Sequence, residues 1–410
     1  MIVTVTLNPA LDLTYTVDAL IPHATHRVTS VKARPGGKGL NVAAVLHALG
    51  EPVLATGILG GGVGAQITDL LREAGLQASF VVAPIESRRT VTVADGADAT
   101  GFWEPGPHIP PPSWSAFVDH FRSLLPRASV VALCGSLPPG IPLDAYAELT
   151  LLAADHGVPV ILDTSGPALR LGLAARPHIA KPNAAELASL LIPPATDAPS
   201  TRRNEVAGRA SPGRDGNAAR DSGSAHDSGP ASDSGPASDS GPASDSGSAR
   251  DSGPARDDGS LHDNSPARDS GTGPKNNGSR DSSSAHDGSA AQDSDHAGSG
   301  WREQAERVLA LGARAVVVSR GPEGLLAVTD NGGWAATPPE ALSGNPTGAG
   351  DACVAALARG LRDQTPWPEV LAEAVALAAA TVAAPVAGTF DPATYQRLRA
   401  ATEVAALPPS

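Results

Sequence analysis

A glycine-rich segment that ends in an acid, Gly344–Asp351, precedes a helical pattern near the end of the chain. Amide N–H groups at a helix start can bind an anion, and small residues let a phosphate approach the main chain closely. Asp351 could accept a proton from an attacking hydroxyl while the amides of Gly348, Ala349 and Gly350 hold a transferring phosphoryl group. The segment therefore indicates phosphoryl transfer. The alternative is a turn in which Asp351 caps the helix.

A second glycine-rich turn, Pro35-Gly36-Gly37-Lys38-Gly39-Leu40-Asn41, leads into a helical pattern near the start of the chain. Its glycines allow a polar ligand near the backbone, and Asn41 offers both a donor and an acceptor. Lys38 is one of only four lysines in a chain that otherwise uses arginine, which favours a functional role for its compact charge. The alternative is an ordinary turn with a solvated lysine.

The segment Lys181-Pro182-Asn183-Ala184-Ala185-Glu186 reads as a strand end followed by a helix start. Asn183 and Glu186 lie three residues apart, so both side chains can point at one spot in the first helical turn. An amide and a carboxylate together can orient Mg²⁺ and its waters. The alternative is a capping box, in which the two residues only close the helix end.

Two further glycine turns follow apolar strand patterns. Ser319-Arg320-Gly321-Pro322-Glu323-Gly324 lies where open α/β sheets bind ligands, although it also fits a plain hairpin turn. Gly60-Gly61-Gly62-Val63-Gly64-Ala65, with Glu86 as a ribose-binding acid, fits a dinucleotide-binding fingerprint. That interpretation leaves the Gly348–Asp351 and Gly36–Asn41 segments without a role, so we disfavour it.

Composition limits the class of protein. The chain has 410 residues and a net charge of −13, which gives no electrostatic basis for binding nucleic acid or an anionic membrane. Two cysteines cannot build a disulfide framework or a four-cysteine zinc site. No apolar run reaches membrane-spanning length, and the first residues lack a secretory pattern. We therefore expect a cytoplasmic protein with neither nucleic acid nor membrane as a partner.

The composition changes sharply between residues 195 and 300, where Ser, Gly, Asp, Ala and Pro dominate. Such a tract cannot bury enough apolar surface to offset the entropy of ordering it, so we predict a disordered insertion. Aspartates recur every six residues from Asp221 to Asp269, as in some calcium-binding repeats. Those folds need an apolar residue in each repeat, which this tract lacks.

Strand patterns alternate with helical patterns along the rest of the chain, which predicts an α/β fold with a mostly parallel sheet flanked by helices on both faces. Short strand patterns interrupt the alternation and predict a small β lid near 13–33 and 88–104. The predicted organisation is a first part over 1–194, the insertion over 195–300 and a second part over 301–410.

Taken in order, the segments resemble the ribokinase-like carbohydrate kinases of the PfkB family, and more closely its phosphosugar branch, 1-phosphofructokinase and tagatose-6-phosphate kinase. The likeness spans most of 1–192 and 301–395. Its carrying segments are Thr6-Leu7-Asn8-Pro9-Ala10-Leu11-Asp12, Gly36-Gly37-Lys38-Gly39-Leu40-Asn41-Val42-Ala43, Glu104-Pro105-Gly106-Pro107, Gly135-Ser136-Leu137-Pro138-Pro139-Gly140, Lys181-Pro182-Asn183-Ala184-Ala185-Glu186 and Thr347-Gly348-Ala349-Gly350-Asp351.

The resemblance implies a role for each matching position. Asp351 would be the catalytic base, with the amides of Gly348, Ala349 and Gly350 as an anion hole. The sugar hydroxyls would be bound by Asp12, Asn41 and the Gly37 backbone, and the phosphate already on the substrate by Arg27, Lys38, Arg88 and Ser136. ATP and Mg²⁺ would be served by Lys181, Asn183 and Glu186, with both Asn183 and Glu186 reaching Mg²⁺ through water. The nucleotide would lie at Ser319, Gly321 and Gly324.

Two departures from the family pattern fall on the predicted lid. Thr90 and Trp103 stand where relatives commonly carry Asn, and the resemblance implies that these changes would affect sugar choice rather than phosphoryl transfer. The resemblance implies an ATP- and Mg²⁺-dependent kinase that converts fructose 1-phosphate to fructose 1,6-bisphosphate, and a homodimer contact through the lid. The alternatives are a tagatose-6-phosphate or 6-phosphofructokinase activity, and a non-catalytic sugar-phosphate or nucleotide sensor.

Overall fold

The structure is a computed structural model that describes residues 1–96, 98–192, 290–384 and 386–408, with only the backbone described over 290–299. Apolar runs form the strands of one large sheet, and the short patterns near the chain start form a second sheet. The strands are β1 Ile2–Thr6, β2 Ala10–Thr16, β3 Ser30–Gly36, β4 Val53–Leu59, β5 Ala78–Val82, β6 Arg88–Ala94, β7 Ala99–Trp103, β8 Val130–Cys134, β9 Val160–Asp163, β10 Ile179–Ala180, β11 Ala315–Ser319, β12 Leu325–Thr329, β13 Gly332–Ala336 and β14 Val404–Ala406.

The large sheet runs in the order β14-β13-β12-β11-β10-β9-β8-β1-β4-β5. Every pairing from β11 to β5 is parallel, whereas β12, β13 and β14 add an antiparallel edge. Because parallel strands end at one edge of a sheet, the segments that follow β1, β8, β9, β10 and β11 are brought together.

Helices cover both faces of the large sheet. They are α1 Lys38–Ala48, α2 Gly61–Glu73, α3 Pro111–Leu124, α4 Ala145–Asp155, α5 Gly166–Ala174, α6 Ala184–Leu191, α7 Ala290–Leu309, α8 Ala349–Asp363, α9 Trp367–Val382 and α10 Pro392–Ala401. Alternation along β8 shows the two layers, since Ala132 and Cys134 pack with α1, α8 and α9, whereas Val131 and Leu133 pack with α3 and α4. The predicted parallel sheet with helices on both faces is therefore present.

The second sheet is the predicted β lid, with strand order β3-β2-β6-β7. Cross-strand partners share a face of a sheet, and one such row is Arg34, Asp12, Thr90 and Trp103. The two departures noted in the sequence, Thr90 and Trp103, therefore lie in the same row as the predicted sugar-binding Asp12.

Two elements and one helix boundary differ from what the sequence pattern indicates. Helix α5 was not predicted, because its start, Ser165-Gly166-Pro167, reads as a turn although proline is well tolerated in a first helical turn. The short edge strand β14 also escaped prediction. Helix α7 begins at Ala290, inside the predicted insertion rather than near Trp301, because extending a packed helix costs little per residue. The rest of the predicted disordered tract lies outside the described residues.

Within the described residues, no helix is both long enough and apolar enough to cross a membrane.

Candidate active site

Polar residues gather at the carboxyl edge of the parallel strands. Asn8 follows β1, Ser136 follows β8, Asp163 ends β9, Lys181 follows β10 and Ser319 ends β11. The register pairs Thr6 with Cys134 and Cys134 with Asp163, so these strand ends are level. The first turns of α1 and α8 complete this edge, since Lys38 of α1 contacts Asp163 and Asn41 of α1 contacts Asp351 of α8.

Asp351 lies in the first turn of α8 and is 6% exposed. Gly348, with φ of 91°, is the N-cap of this helix, so the alternative in which Asp351 caps the helix is wrong. The Asn41 Nδ2 group donates a hydrogen bond to Asp351 Oδ2 at 2.8 Å. The two predicted glycine segments, which are far apart in sequence, therefore meet at this carboxylate.

The predicted anion hole is the N-terminus of α8. The Ala349 N–H donates to the Pro346 carbonyl at 3.2 Å, whereas the next amides, of Gly350 and Asp351, precede the first intrahelical donor, Ala352. A Cβ added to Gly350 would lie 3.5 Å from Lys181 Nζ, so glycine leaves room beside this ammonium. The Gly350 and Asp351 amides thus have no acceptor within the helix and Lys181 lies beside Gly350, whereas the Ala349 amide of the predicted anion hole is already bonded.

Asp163 is a fully buried carboxylate shared by two lysines. Its Oδ1 atom lies 3.1 Å from Lys38 Nζ and 3.3 Å from Lys181 Nζ. Its Oδ2 atom has no hydrogen-bond partner among the described residues. Lys38, although 37% of its side chain is exposed, is therefore more than the solvated lysine of the alternative interpretation, because it joins Lys181 on one counter-ion.

The charged groups in this cluster shift one another's pKa values. Burial, followed by the Asp163 carboxylate, raises the pKa of Asp351 to about 6, while the Asn41 hydrogen bond, Lys38 and Lys181 act in the opposite direction. Burial alone would lower the pKa of each lysine, but Asp163 raises the pKa of both above its ordinary value. At neutral pH the site therefore holds an ionised base beside two ammonium groups.

A second group of predicted residues surrounds Asn8. The Arg88 Nε group donates to the Asn8 carbonyl at 3.2 Å, and the Asn8 amide donates to Ser136 Oγ at 3.2 Å. Arg88 Nη1 also donates to the Glu104 carbonyl at 3.0 Å. Arg88, through the backbone carbonyl of Asn8, and Ser136, through its side-chain amide, are thus both bonded to one residue, and both are predicted to bind the substrate phosphate.

Asp12 pairs with Arg34 on the inner face of the lid, at 2.6 Å between Oδ2 and Nη2. Burial raises the pKa of Asp12, while Arg34, Arg88 and the Thr90 hydroxyl lower it. Gly37, with φ of 112°, is the N-cap of α1, and an added Cβ would crowd Thr6. This backbone conformation requires glycine and fixes where α1 begins.

Arg27 lies apart from the other predicted site residues. It is exposed on the segment between β2 and β3, at the end of the lid opposite to Asp12. Among the described residues it has no hydrogen bond or ion pair to them. The role predicted for Arg27 therefore has no geometric support within one chain.

The predicted nucleotide residues lie side by side. Asn183 and Glu186 form the reciprocal capping box that the sequence left as an alternative, with both hydrogen bonds at 2.8 Å. Ser319 bridges to Asn183 in a parallel pairing. Gly321 and Gly324 form the turn after Ser319, where a Cβ on Gly324 would collide with the Ala336 carbonyl.

The dinucleotide-binding interpretation of Gly60–Ala65 is wrong. The Glu86 carboxylate accepts hydrogen bonds from the amides of Gly62 at 3.1 Å and Val63 at 2.8 Å. A Cβ on Gly61 would collide with that carboxylate. The α2 N-terminus, where a pyrophosphate would bind, is therefore filled by a side chain of the same chain.

Comparison with known proteins identifies the family. The sequence model of the pfkB family carbohydrate kinases matches residues 5–203 and 294–394, which is more than half of the chain. The chain belongs to this family. The pfkB-type segments that carried the resemblance in the sequence are those that meet at the carboxyl edge of the sheet.

Solved structures share the pfkB fold of this chain. Phosphofructokinase-2 from Escherichia coli is 21% identical with a TM-score of 0.69, and 98% of each chain is covered. A possible 1-phosphofructokinase from Thermotoga maritima is 20% identical with a TM-score of 0.67 over 99% of each chain. A putative phosphofructokinase from Staphylococcus aureus is 20% identical with a TM-score of 0.64 over 99% of each chain. The predicted ribokinase-like fold is thereby confirmed.

The donor set of this pfkB-family site fits a hydrated Mg²⁺. Within the described residues, no three His, Cys, Asp or Glu side chains gather as a cage for a metal ion. Mg²⁺ commonly keeps several waters and takes few protein ligands beside phosphate oxygens. Of the two residues predicted to reach the ion through water, Glu186 offers its carboxylate, whereas the Asn183 side-chain oxygen already accepts from the Glu186 amide. The unpaired Oδ2 of Asp163 is a further acceptor. The two carboxylates would hold the ion, and a bound ion would supply charge neutralisation for phosphates.

Two residues of the site escaped the sequence analysis. Asp163 ends an apolar strand pattern at the carboxyl edge, which is a signal that could have found it. Arg34 contacts Asp12, Asn41 and the Ala387 carbonyl, and no local pattern marks it.

Proposed function

We propose that this chain phosphorylates a ketohexose phosphate with ATP, converting fructose 1-phosphate to fructose 1,6-bisphosphate, with Asp351 as the general base. One observation carries the proposal. A buried carboxylate, held by Asn41, lies in the first turn of α8 beside two lysines that share Asp163. This combination suits the transfer of a phosphoryl group to a hydroxyl.

Asp351 accepts the proton of the acceptor's primary hydroxyl as that oxygen attacks the γ-phosphate. Because its pKa is about 6, Asp351 is mostly ionised at neutral pH yet remains a better proton acceptor than an ordinary aspartate. Its environment is thus matched to general-base catalysis near pH 7.

The positive charge of the site stabilises the phosphoryl group during transfer. Lys181 lies next to Gly350 and the free amides of α8, and Lys38 shares its counter-ion. We therefore extend the role of Lys38 from the phosphate already on the acceptor to the phosphoryl group in transit. Fixed charges and amides that need no rearrangement act most strongly where water is excluded.

The Asn8 cluster suits the phosphate that the acceptor already carries. Arg88 remains charged at any working pH, and Ser136 adds a hydroxyl on the neighbouring strand end. Thr90 and Trp103, in the row with Asp12, face the same side of the lid and would select the sugar.

The proposal predicts the order of acceptors in a turnover assay with ATP and Mg²⁺. We expect fructose 1-phosphate to have the highest kcat/KM, and free fructose to be lower by about 10-fold or more, because a charge-assisted phosphate contact contributes about 1.5–3 kcal/mol. The panel includes fructose 6-phosphate, tagatose 6-phosphate and the free ketohexoses.

Each other outcome of this assay contradicts part of the proposal. A higher kcat/KM for tagatose 6-phosphate or fructose 6-phosphate would contradict fructose 1-phosphate as the acceptor but would still support a kinase activity. Binding of these phosphosugars without turnover of any would replace the kinase by a sensor.

We also propose that the lid forms a homodimer. The lid face opposite to Asp12 leaves Val31 58% and Phe102 57% exposed. We expect light scattering to give twice the mass of one chain, and Val31→Asp to lower it. Val82→Asp, which changes an exposed residue of β5 outside the lid, is the matched control. A one-chain mass for the unmodified protein would refute the dimer.

A further inference from the structure

Arg34 lies on lid strand β3 and reaches three separate parts of the chain. Its Nη2 group donates to Asp12 Oδ2 at 2.6 Å. Its Nη1 group donates to Asn41 Oδ1 and to the Ala387 carbonyl, both at 2.9 Å. One guanidinium thus connects the lid with helix α1 and with the segment before α10.

The contact with Asn41 decides which way that amide points. Because Oδ1 accepts from Arg34, the Nδ2 group is the one that faces Asp351 Oδ2. A reversed amide would place its oxygen against the carboxylate, and its NH₂ group against a guanidinium that can only donate. Arg34 therefore specifies the orientation in which Asn41 supports the base.

The contact with Ala387 also connects Arg34 to the start of α8. A Cβ added to Gly348, the N-cap of α8, would lie 3.0 Å from Ala387 Cβ. A Cβ added to Gly388 would lie 3.2 Å from Asn41 Oδ1. Residues 387 and 388 are thus packed between Asn41 and the helix start, and Arg34 donates to the carbonyl of Ala387.

We propose that Arg34 is a positioning residue of the acceptor site, which fixes the Asp12 carboxylate and orients the Asn41 amide toward Asp351. This inference rests on the proposed function for its kinetic consequences. Arg34 would act through Asp12 and Asn41, not on the reacting atoms. Its planar fork places donors on two separate nitrogens, Nη1 toward Asn41 and Ala387 and Nη2 toward Asp12, whereas an ammonium carries all its donors on one atom.

Other charged groups face the two carboxylates that Arg34 affects. Asp163, Lys38 and Lys181 act on Asp351, and Arg88 acts on Asp12. None of them contacts the Asn41 amide in the described structure. A change in the pKa of Asp351 in Arg34→Lys, which keeps the positive charge, therefore reports the Asn41 contact.

Kinetics of Arg34→Gln and Arg34→Lys test this role. We expect kcat/KM to fall by about 10- to 100-fold in both, with a higher KM from the loosened Asp12. We also expect the acid limb of the pH profile to move above about pH 6, because Asp351 loses a correctly oriented donor that lowers its pKa. Lys32→Gln removes an exposed charge on the same strand and face, and we expect no change.

The conservative variant separates geometry from charge. If Arg34 contributed only its charge, Arg34→Lys would match the unmodified protein in KM and acid limb, which would overturn the proposal. An unchanged acid limb in Arg34→Gln would overturn it too.

A second measurement needs no turnover. An unfolded Asp351 titrates near 3.8, so between about pH 4 and 6 the folded chain keeps a proton that the unfolded chain has released. The free energy of unfolding therefore falls as the pH rises through this window. Comparing each protein with its own Asp351→Asn version isolates that fall.

We expect the fall to end near pH 6 in the unmodified protein and at a higher pH in both Arg34 variants. The same end point in all three would overturn the proposal. This result is independent of the acceptor assay, so failure of the proposed function and failure of the Arg34 role give different outcomes.

Discussion

Replacing Asp351 by alanine is expected to lower kcat by at least about 100-fold while the chain stays folded. The substitution removes the carboxylate in the first turn of α8 that accepts a hydrogen bond from the Asn41 amide. Folding should not suffer, because a raised pKa means that burial disfavours the ionised carboxylate. Turnover with saturating ATP and acceptor measures kcat, and thermal unfolding monitors the fold.

The control for this variant is Asp363→Ala at the other end of the same helix. Asp363 is exposed and pairs with Arg362, so we expect near-normal kcat. In the unmodified protein, kcat/KM should decline as the pH falls below about 6, where Asp351 becomes protonated. Near-normal turnover of Asp351→Ala would remove Asp351 from the role of base.

Replacing Asp163 by alanine is expected to lower the free energy of unfolding by about 3–5 kcal/mol. The change leaves the ammonium of Lys181, whose residue is 3% exposed, without its only ion-pair partner in the described chain. A buried charge without a partner is among the most destabilising features of a folded protein. Denaturant unfolding of both proteins measures the difference.

Two variants show whether the buried charge is the cause. Asp119→Ala breaks an exposed ion pair with Arg122 and should cost at most about 1 kcal/mol. Adding Lys181→Met to Asp163→Ala removes the stranded charge, so the double variant should be less destabilised than the two single losses added together. Additive losses would show that the cavity, not the charge, dominates.

The sequence could predict the parts of the site that local patterns mark. Lys181 and Ser319 follow apolar strands, and strand ends of a parallel sheet converge, so their proximity follows from the fold class. Asp351 and Asn41 were marked by glycines before a helix. Their direct hydrogen bond was not predictable, because it depends on how α1 and α8 pack.

The residues that the sequence analysis missed depend on distant partners. Asp163 matters through Lys38, which precedes it by 125 residues. The role of Arg34 depends on its hydrogen bonds to Asp12, Asn41 and Ala387, which belong to three different segments of the chain. The role of Arg27 was implied only by the family resemblance, and in the structure this residue lies on the lid, away from the other predicted site residues. Local sequence carries no information about such relations.

The Glu86 carboxylate occupies the first amides of α2 and so decides what this helix start can bind. Glycine-rich segments lead into α1, α2 and α8, and the start of α2 is plugged by the side chain of Glu86. A phosphate-bearing metabolite that met the plugged start would have to displace a carboxylate that is already in place. The start of α2 is therefore closed to such a ligand, whereas the Gly350 and Asp351 amides at the start of α8 are not occupied by a side chain in the described structure.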